Sequence, residues 1–325
     1  MTRLVRSAGL THFSEIATAC GLDPHALVAQ AGLPRACLTD PDLKIDAEAA
    51  LQMLEVAAER AHEPAFGLRM GEARRISNIG PLAIALRDEP TLQHVLNVLM
   101  THIGIHNEAL VLDAVREGSM VTVRMELVSE QGRHYRQGTE LALLVTLQNI
   151  AFFMGPGWRP VSVCLTHSAP RSLAVHRRLL GPRLEFGHEF NGIVFDGADL
   201  DAPNPSADPV MARYAEQFLD SLQGQPGNFA DQVKKLVLLL LPLGRCNAEV
   251  VAQHLGCDRR TVNRRLAEQD LSFLKLVDAH RRPMAKQYVE EGELKLAHIA
   301  RQLGFASRSS FSRWYGQQFG RSPRG

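Results

Sequence analysis

Apolar residues recur at helical spacing along the first third of the chain. The segment Ala47 to Ala61 carries an apolar stripe. A second stripe, Leu92 to Leu99, follows Pro90-Thr91 with apolar residues three or four positions apart. The pattern therefore predicts that residues 1–107 are mostly helical.

Between Leu110 and Leu127 the spacing of apolar residues changes from helical to every second residue. Apolar residues then alternate with polar ones from Val121 to Leu127, as on a half-buried strand, and VREG (115–118) predicts a hairpin turn. Thr139 to Met154 is apolar and long enough for a buried helix. The later pattern predicts a strand over 158–167, a helix over Arg171–Leu180, one or two strands over Leu184–Asp196 and a helix over Asp208–Leu222. This order of elements favours an α+β domain over residues 1–222.

A linker is predicted at residues 223–228. Their sequence, QGQPGN, contains two glycines, a proline and three amides, with no apolar residue. Everything from Phe229 to Phe319 has the pattern of helices joined by short turns. The expected organisation is an α+β domain (1–222), a linker (223–228) and an all-α domain (229–325).

Charge separates the same two regions. Residues 228–325 contain 17 Lys and Arg against 9 Asp and Glu, a net charge of +8, whereas the remainder carries −7. A basic region beside an acidic one indicates that one domain contacts a polyanion. A solvated basic face explains the charge alone equally well.

Composition and the known short motifs exclude several classes of protein. No apolar run approaches the roughly 18 residues of a transmembrane helix, and the N-terminus lacks the apolar core of a signal peptide. The five cysteines form no CxxC pair, which favours a reducing, cytoplasmic location. No GxSxG, P-loop, GxGxxG or HExxH motif is present, so we expect neither an enzyme nor a bound cofactor.

Two segments of the basic region, 248–269 and 295–319, repeat the pattern of a helix-turn-helix motif. In each, an alanine, a leucine and a glycine occupy equivalent positions 48 residues apart: Ala252 and Ala300, Leu255 and Leu303, Gly256 and Gly304. The small alanine allows close helix packing, and glycine tolerates the left-handed conformation that ends a helix. Asp258 and Ser307 are the expected N-caps of the second helices.

Each second helix is expected to bury one face and present the other to DNA. Val262 and Leu266 should point inward in the first motif, as should Phe311, Tyr315 and Phe319 in the second. Arginine, asparagine and serine are side chains that read bases and bind phosphates. The candidate DNA-binding residues are Arg259, Arg260, Thr261, Asn263, Arg264, Ser307, Arg308, Ser309, Ser312 and Arg313. The first motif has more outward arginines and is expected to supply more contact; the second, with its aromatic stripe, is expected to be sturdier.

These segments resemble the AraC/XylS family of transcription regulators. The resemblance is closest in IARQLGFASRSSFSRWYGQQFGRSP (299–323) and continues through the first motif and the segment after it. It implies a seven-helix domain whose two recognition helices enter successive major grooves, about 34 Å apart, with the helix over Ser272–Glu290 setting their distance. Pro283 departs from the family pattern and is expected to kink that helix. Asp270 replaces the usual glycine, although aspartate tolerates the left-handed region.

The upstream region resembles the effector domain of a non-cupin, arabinose-binding-like subgroup of the same family. The matching segments are 80–99, 134–143, 158–170 and 184–203. The resemblance implies a homodimeric regulator, more often an activator, which responds to a small-molecule effector, binds double-stranded promoter DNA and acts on RNA polymerase, without a membrane role. An enzyme, or a ligand-independent dimerisation module, carrying a DNA-binding tail remains the alternative.

Three further patterns have competing interpretations. Residues 13–33 imitate a third helix-turn-helix, but the lack of arginine favours a structural helix pair. His102 and His106 have the spacing of two metal ligands on one helix, yet no third ligand is evident apart from Glu108 or His94, so no metal site is expected. Polar residues at the start of the apolar helix fit either a small-ligand pocket or an ordinary cap and surface. These candidate effector-binding residues are His134, Tyr135, Arg136, Gln137 and Glu140.

Overall fold

The computed structural model describes residues 2–129, 133–155, 157–222, 229–241, 246–255, 257–269, 271–291 and 294–323. The chain divides into two compact units, residues 1–223 and 224–325. The predicted linker, 223–228, lies outside the described residues. None of the described helices combines the length and apolar character that a membrane crossing needs.

The first unit is an α+β domain, as predicted. Its helices are α1 (Phe13–Ala19), α2 (Pro24–Gln30), α3 (Ala47–Ala61), α4 (Phe66–Glu72), α5 (Pro81–Arg87), α6 (Leu92–His106), α7 (Arg136–Met154), α8 (Ala174–Leu180) and α9 (Pro209–Leu222). Its strands are β1 (Leu4–Arg6), β2 (Lys44–Asp46), β3 (Leu110–Glu117), β4 (Met120–Leu127), β5 (Ser162–Leu165), β6 (Leu184–Phe186) and β7 (Asn191–Asp196). Both amphipathic helices expected from the apolar stripes are present.

The main sheet has five strands in the order β3-β4-β7-β5-β6. Strands β5 and β6 pair in parallel, and the other neighbours are antiparallel. The β3–β4 hairpin was predicted, but its turn lies at Gly118 and Ser119, because β3 continues to Glu117. Gly118 has φ +62°, a left-handed conformation that glycine adopts without steric cost.

Three other boundaries differ from the prediction, one of them the start of α8, which lies at Ala174 instead of Arg171. Helix α7 begins one turn early, at Arg136, because the Glu55 carboxylate of α3 accepts the Gln137 backbone N–H at 2.6 Å. Strand β5 covers only Ser162–Leu165 of the predicted 158–167. Pro160 has no N–H to donate to a sheet ladder, which accounts for the later start.

The first unit contains two hydrophobic clusters. One joins the main sheet to α5, α6, α7 and α9. The other joins α1, α2, α3 and α4 with the two-stranded β1–β2 ribbon. Phe13 and Ala17 of α1 and Leu27 and Val28 of α2 are buried in it. Residues 13–33 therefore form a structural helix pair in the core of this unit.

The second unit is helical throughout its described residues. Its six described helices are α10 (Phe229–Leu240), α11 (Ala248–His254), α12 (Arg259–Ala267), α13 (Phe273–Glu291), α14 (Leu296–Gln302) and α15 (Arg308–Phe319). One cluster packs α10, α11, α12 and the start of α13, and another packs the end of α13 with α14 and α15. Helix α13 runs on through Pro283. Because Pro283 has no N–H, the carbonyl of Ala279, four residues earlier, lacks its usual helical hydrogen bond. Ala279 is exposed, so water can bind this carbonyl instead.

Candidate nucleic-acid interface and effector cavity

Helix α12 is the second helix of the first helix-turn-helix motif. Val262 and Leu266 are fully buried and anchor it against the rest of the unit. The opposite face exposes Arg259, Arg260, Asn263 and Arg264, whereas Thr261 is half-buried. The predicted division of this helix into an inward and an outward face is confirmed.

Two arginines of α12 already have carboxylate partners. The Nη1 atom of Arg259 lies 3.0 Å from Oε1 of Glu249, and Nη1 of Arg264 lies 2.6 Å from Oε1 of Glu268. Arg260 has no carboxylate within ion-pair distance among the described residues. Both pairs are solvent-exposed, so each contributes at most about 1 kcal/mol and is readily exchanged for a phosphate.

Helix α15 has the same two-faced arrangement in the second motif. Phe311 and Tyr315 are fully buried, and Phe305 packs on Phe311 with ring centroids 5.6 Å apart. Arg308, Ser309 and Arg313 are exposed and Ser312 is half-buried. No described carboxylate lies within ion-pair distance of either arginine. Within the described part of the chain, these two guanidinium groups are therefore uncompensated.

Both recognition helices start at the predicted N-caps. The Asp258 carboxylate accepts the Thr261 N–H at 2.6 Å. This hydrogen bond, together with the neighbouring backbone N–H of Arg260, lowers the pKa of Asp258. The Ser307 hydroxyl accepts the Ser310 N–H at 3.2 Å, and the Ser310 hydroxyl accepts the Ser307 N–H in return. Gly304, in the turn before Ser307, has φ +71° as expected. Its counterpart Gly256 and the atypical Asp270 lie outside the described residues.

Arg281 of the linking helix α13 holds the turn of the second motif, a role that the sequence pattern missed. Its Nε donates to the Leu303 carbonyl at 2.7 Å, its Nη2 donates to the Gly304 carbonyl at 3.3 Å, and its guanidinium stacks on Phe305. Arg281 is buried, and desolvation lowers its pKa. One helical turn earlier, Asp278 accepts the Trp314 indole N–H at 3.1 Å. These contacts fix α15 relative to α13.

Arg136 and Glu140, two of the candidate effector-binding residues, contact each other within the first unit. Glu140 is fully buried, and its Oε1 lies 2.8 Å from Arg136 Nε, 3.0 Å from His176 Nε2 and 3.1 Å from His167 Nε2. Burial raises the Glu140 pKa, but the contacts with His167 and His176 and the charge of Arg136 outweigh it and lower the pKa to about 2. Glu140 is therefore held in a buried polar cluster with Arg136, His167 and His176.

The other candidates have different surroundings. The Tyr135 hydroxyl donates to Glu48 Oε1 at 2.6 Å. Gln137 joins α7 to α4 by accepting the Gly67 N–H at 2.9 Å. His134 is exposed. The role of these residues in effector binding stays a prediction, although none of them lines the cavity of this unit.

That cavity lies between the two hydrophobic clusters of the first unit. The centre of a water molecule can move through about 80 Å³ of it. Most of its wall is aliphatic, contributed by α3, α6, β3 and α7. The polar side chains on the wall are Arg74, His106, Asn107, Thr146 and Asn149. An apolar cavity with few polar groups is typical of a small-molecule site.

The histidine pair of α6 is buried. His106 Nδ1 lies 3.4 Å from Arg6 Nη1, and the nearest acidic group to His102 is Asp220 at 3.9 Å. Among the described residues, one trio of potential metal ligands comes together elsewhere: Cys164, Glu185 and His188, with ligand atoms within 4.8 Å of one another. Burial raises the pKa of the Cys164 thiol to about 11, which keeps it protonated at neutral pH.

Comparison with known families matches both units. Residues 21–204 match the family described as the arabinose-binding domain of AraC transcription regulator, N-terminal, and residues 251–325 match a helix-turn-helix domain. Similar proteins include the HTH-type transcriptional regulator VirS of Mycobacterium tuberculosis, 30% identical, with the alignment covering 99% of this chain and 95% of VirS. The ornithine utilization regulator of Pseudomonas aeruginosa is 25% identical, covering 91% of each chain.

A solved structure, the transcriptional regulator CdpR from Pseudomonas aeruginosa, is similar at 18% identity and a TM-score of 0.43, over 92% of this chain and 94% of CdpR. The two family matches and the full-length similarity to VirS agree with the helix-turn-helix geometry of the second unit. The chain belongs to the AraC family of DNA-binding, helix-turn-helix transcription regulators, with an arabinose-binding-type N-terminal domain.

Proposed function

We propose that this regulator is an effector-responsive activator of an operon for small-molecule metabolism, acting in the cytoplasm through contact with RNA polymerase. The observation that carries the proposal is the pairing of a cavity in the first unit with two exposed recognition helices in the second. Effector binding would favour the DNA-competent state only if the two states bind the effector with different affinity.

We further propose that DNA contact runs through the exposed faces of α12 and α15. Arg260, Arg308 and Arg313 are exposed without a carboxylate partner among the described residues, and arginine binds both guanine edges and phosphates. Ser307, Ser309 and Ser312 surround the start of α15, where backbone N–H groups favour a phosphate. The remaining residues of the proposed interface are Arg259, Thr261, Asn263 and Arg264.

Self-association as a homodimer is proposed through α9. This helix buries Ala212, Ala215 and Leu219 and exposes a stripe of large apolar side chains. Exposed stripes of this kind mark protein interfaces. The exposed apolar residues of the stripe are Val210, Met211, Tyr214, Phe218 and Leu222.

The cavity wall favours sensing over catalysis. No carboxylate, cysteine or serine side chain is found among the described residues that line it. His106 is its only imidazole, and burial, followed by the nearby positive charges, lowers its pKa to about 3. A general acid or base working near neutral pH needs a pKa close to that pH. This wall supports a ligand-sensing role.

Genome-wide mapping of the bound sites in cells tests the proposal. Discrete sites upstream of genes for the metabolism of one compound class, with transcription that rises when that compound is added, are expected. Effector response would be refuted if transcription at the occupied sites did not change when any compound of the adjacent pathway was added.

Replacing Tyr214 and Phe218 with glutamate should convert a dimer to a monomer in light scattering; a wild-type monomer would contradict the dimer.

A further inference from the structure

We propose that the cavity of the first unit binds a small amphipathic carboxylate, whose apolar part fills the aliphatic wall and whose carboxylate is bound by Arg74. This inference rests on the proposed effector response and names the chemical class of the effector and the residue that recognises it.

Arg74 is the group that points to an anion. Its Nη2 donates to the backbone carbonyls of Gly9 and Thr11, at 2.6 and 3.3 Å. Its Nε is shielded from solvent and has no hydrogen-bond partner among the described residues. No described carboxylate lies within ion-pair distance of this guanidinium. The other terminal N–H groups of this guanidinium have no described carboxylate partner, and a ligand carboxylate could accept hydrogen bonds from them.

The surrounding charges leave Arg74 uncompensated. Three cations lie near His106: Arg6, Lys44 and Arg74. Arg6 pairs with Asp42, and Lys44 lies 3.9 Å from Glu108, so Arg74 is the member of this trio that lacks a described acidic partner. Burial lowers the Arg74 pKa to about 10, so it stays protonated at neutral pH. His106, with a pKa of about 3, is neutral there and adds no second charge.

Two uncharged polar groups on α7 can complete the recognition of the carboxylate. Thr146 and Asn149 lie three residues apart on the stripe of α7 that lines the cavity. Neither side chain has a hydrogen-bond partner among the described residues. Helix α4 runs beside α7. Gly71 of α4 lies against Leu144 of α7, and the Gly71 carbonyl accepts a hydrogen bond from the Gln148 side chain. Arg74 follows α4 directly, which brings it to the same half of α7 as Asn149.

The rest of the wall selects for an apolar ligand body. Leu51, Leu54, Leu99, Ile103 and Leu112 face the cavity. On the same volume measure a single water needs roughly 10–15 Å³, so the 80 Å³ available suits a molecule of roughly five to eight heavy atoms. A sugar would leave most of its hydroxyl groups unpaired against this wall. An amine would meet Arg74 and no described carboxylate.

Isothermal titration calorimetry on the full chain tests the inference. The probes are two carboxylates, hexanoate and benzoate, together with hexylamine, hexanol and L-arabinose. We expect hexanoate or benzoate to bind measurably and the amine and the sugar to give no heat of binding. Arg74→Met should weaken carboxylate binding at least 10-fold. The neighbouring Arg75→Met removes an exposed arginine outside the cavity and should change the dissociation constant less than 2-fold.

Arg74 also donates to backbone carbonyls, so Ala142→Leu provides a second variant. It adds volume at the cavity wall, keeps Arg74 and should abolish carboxylate binding by filling the space. Absence of carboxylate binding to the wild type, equal binding of hexanol and hexanoate, or an equal effect of Arg75→Met would overturn the inference.

Promoter occupancy measured on the same preparations separates this inference from the proposed function. Occupancy that responds to a non-anionic compound and not to carboxylates refutes the inference and leaves effector response standing. Carboxylate binding that depends on Arg74 but leaves occupancy and transcription unchanged supports the cavity assignment and refutes effector response.

Discussion

The two helix-turn-helix motifs share one plan but differ in the charge that they leave available to DNA. Helix α12 has more arginines, yet Arg259 and Arg264 are paired with Glu249 and Glu268. Helix α15 has two outward arginines, and no described carboxylate pairs with either. The number of arginines in a recognition helix is therefore a poor measure of its free positive charge, because the preceding helix α11 and the C-terminal end of α12 supply counterions.

The cores of the two motifs differ as well. Val262 and Leu266 anchor α12 in an aliphatic cluster, whereas Phe311 and Tyr315 anchor α15 in an aromatic one that includes Phe305. Larger side chains bury more apolar surface. The expectation that the second motif is the sturdier element follows from this difference and stays a prediction.

The largest expected effect is on the aromatic core. Phe311→Ala should lower the free energy of unfolding of the second motif by about 3–5 kcal/mol, because it leaves a cavity at a fully buried site. Urea unfolding followed by Trp314 fluorescence, in a Trp158→Phe background, measures it. The exposed Ser309→Ala serves as the control and should change stability by less than about 0.5 kcal/mol. A loss below 1 kcal/mol for Phe311→Ala would contradict the proposed sturdiness.

The next effect concerns the attachment of the second motif to α13. Arg281→Met should cost about 2–3 kcal/mol, since the carbonyls of Leu303 and Gly304 lose a charged donor. The same urea titration measures the loss, and Lys286→Met, at an exposed cation of the same helix, is the control. If both variants lose the same stability, Arg281 does not hold the turn.

Specific DNA affinity should fall when a free arginine of α15 is removed. Arg308→Ala or Arg313→Ala should each cost about 1–3 kcal/mol, or about 5- to 150-fold in the dissociation constant, if the side chain contacts a base. Mobility-shift titration on a promoter fragment measures the change. Arg321→Ala, at an exposed arginine beyond α15 that pairs with Glu290, is the control. Unchanged affinity in both α15 variants would show that this helix face does not contact DNA.

The smallest expected effect separates the motifs most sharply. Glu249→Gln and Glu268→Gln release Arg259 and Arg264, and they remove negative charge beside the phosphates. Each should tighten DNA binding by about 0.2–1 kcal/mol, roughly 1.5- to 5-fold, at low salt. Glu290→Gln is the matched control away from α12. Weaker binding by the first two variants would mean that the ion pairs position α12 productively.

Local patterns in the sequence predicted the elements that depend on neighbouring residues. The bounds of α3 follow from its apolar stripe, and the starts of α12 and α15 follow from Asp258 and Ser307, whose side chains cap nearby N–H groups. The early start of α7 was missed, since its first turn is completed by Glu55 from another helix. Such a contact has no local signature.

The same limit applies to the candidate sites. Arg281 binds carbonyls 22 and 23 residues away along the chain, so no motif identifies it. Arg74 stands beside a similar residue, Arg75, and only the folded chain shows which of the two lines the cavity. The polar residues at the start of α7 border an apolar helix, as the residues of a ligand pocket do, but the fold places Glu140 in a polar cluster with histidines from other segments.

In-vitro selection of randomised DNA duplexes by the full chain tests most directly the claim that both motifs read DNA. We expect an enriched sequence with two conserved elements about 10 base pairs apart, one helical turn, as two helices in successive major grooves require. Arg260→Ala should relax the preference at one element and Arg308→Ala at the other. A single conserved element, or a loss of both elements in either variant, would contradict the claim that each helix reads its own groove.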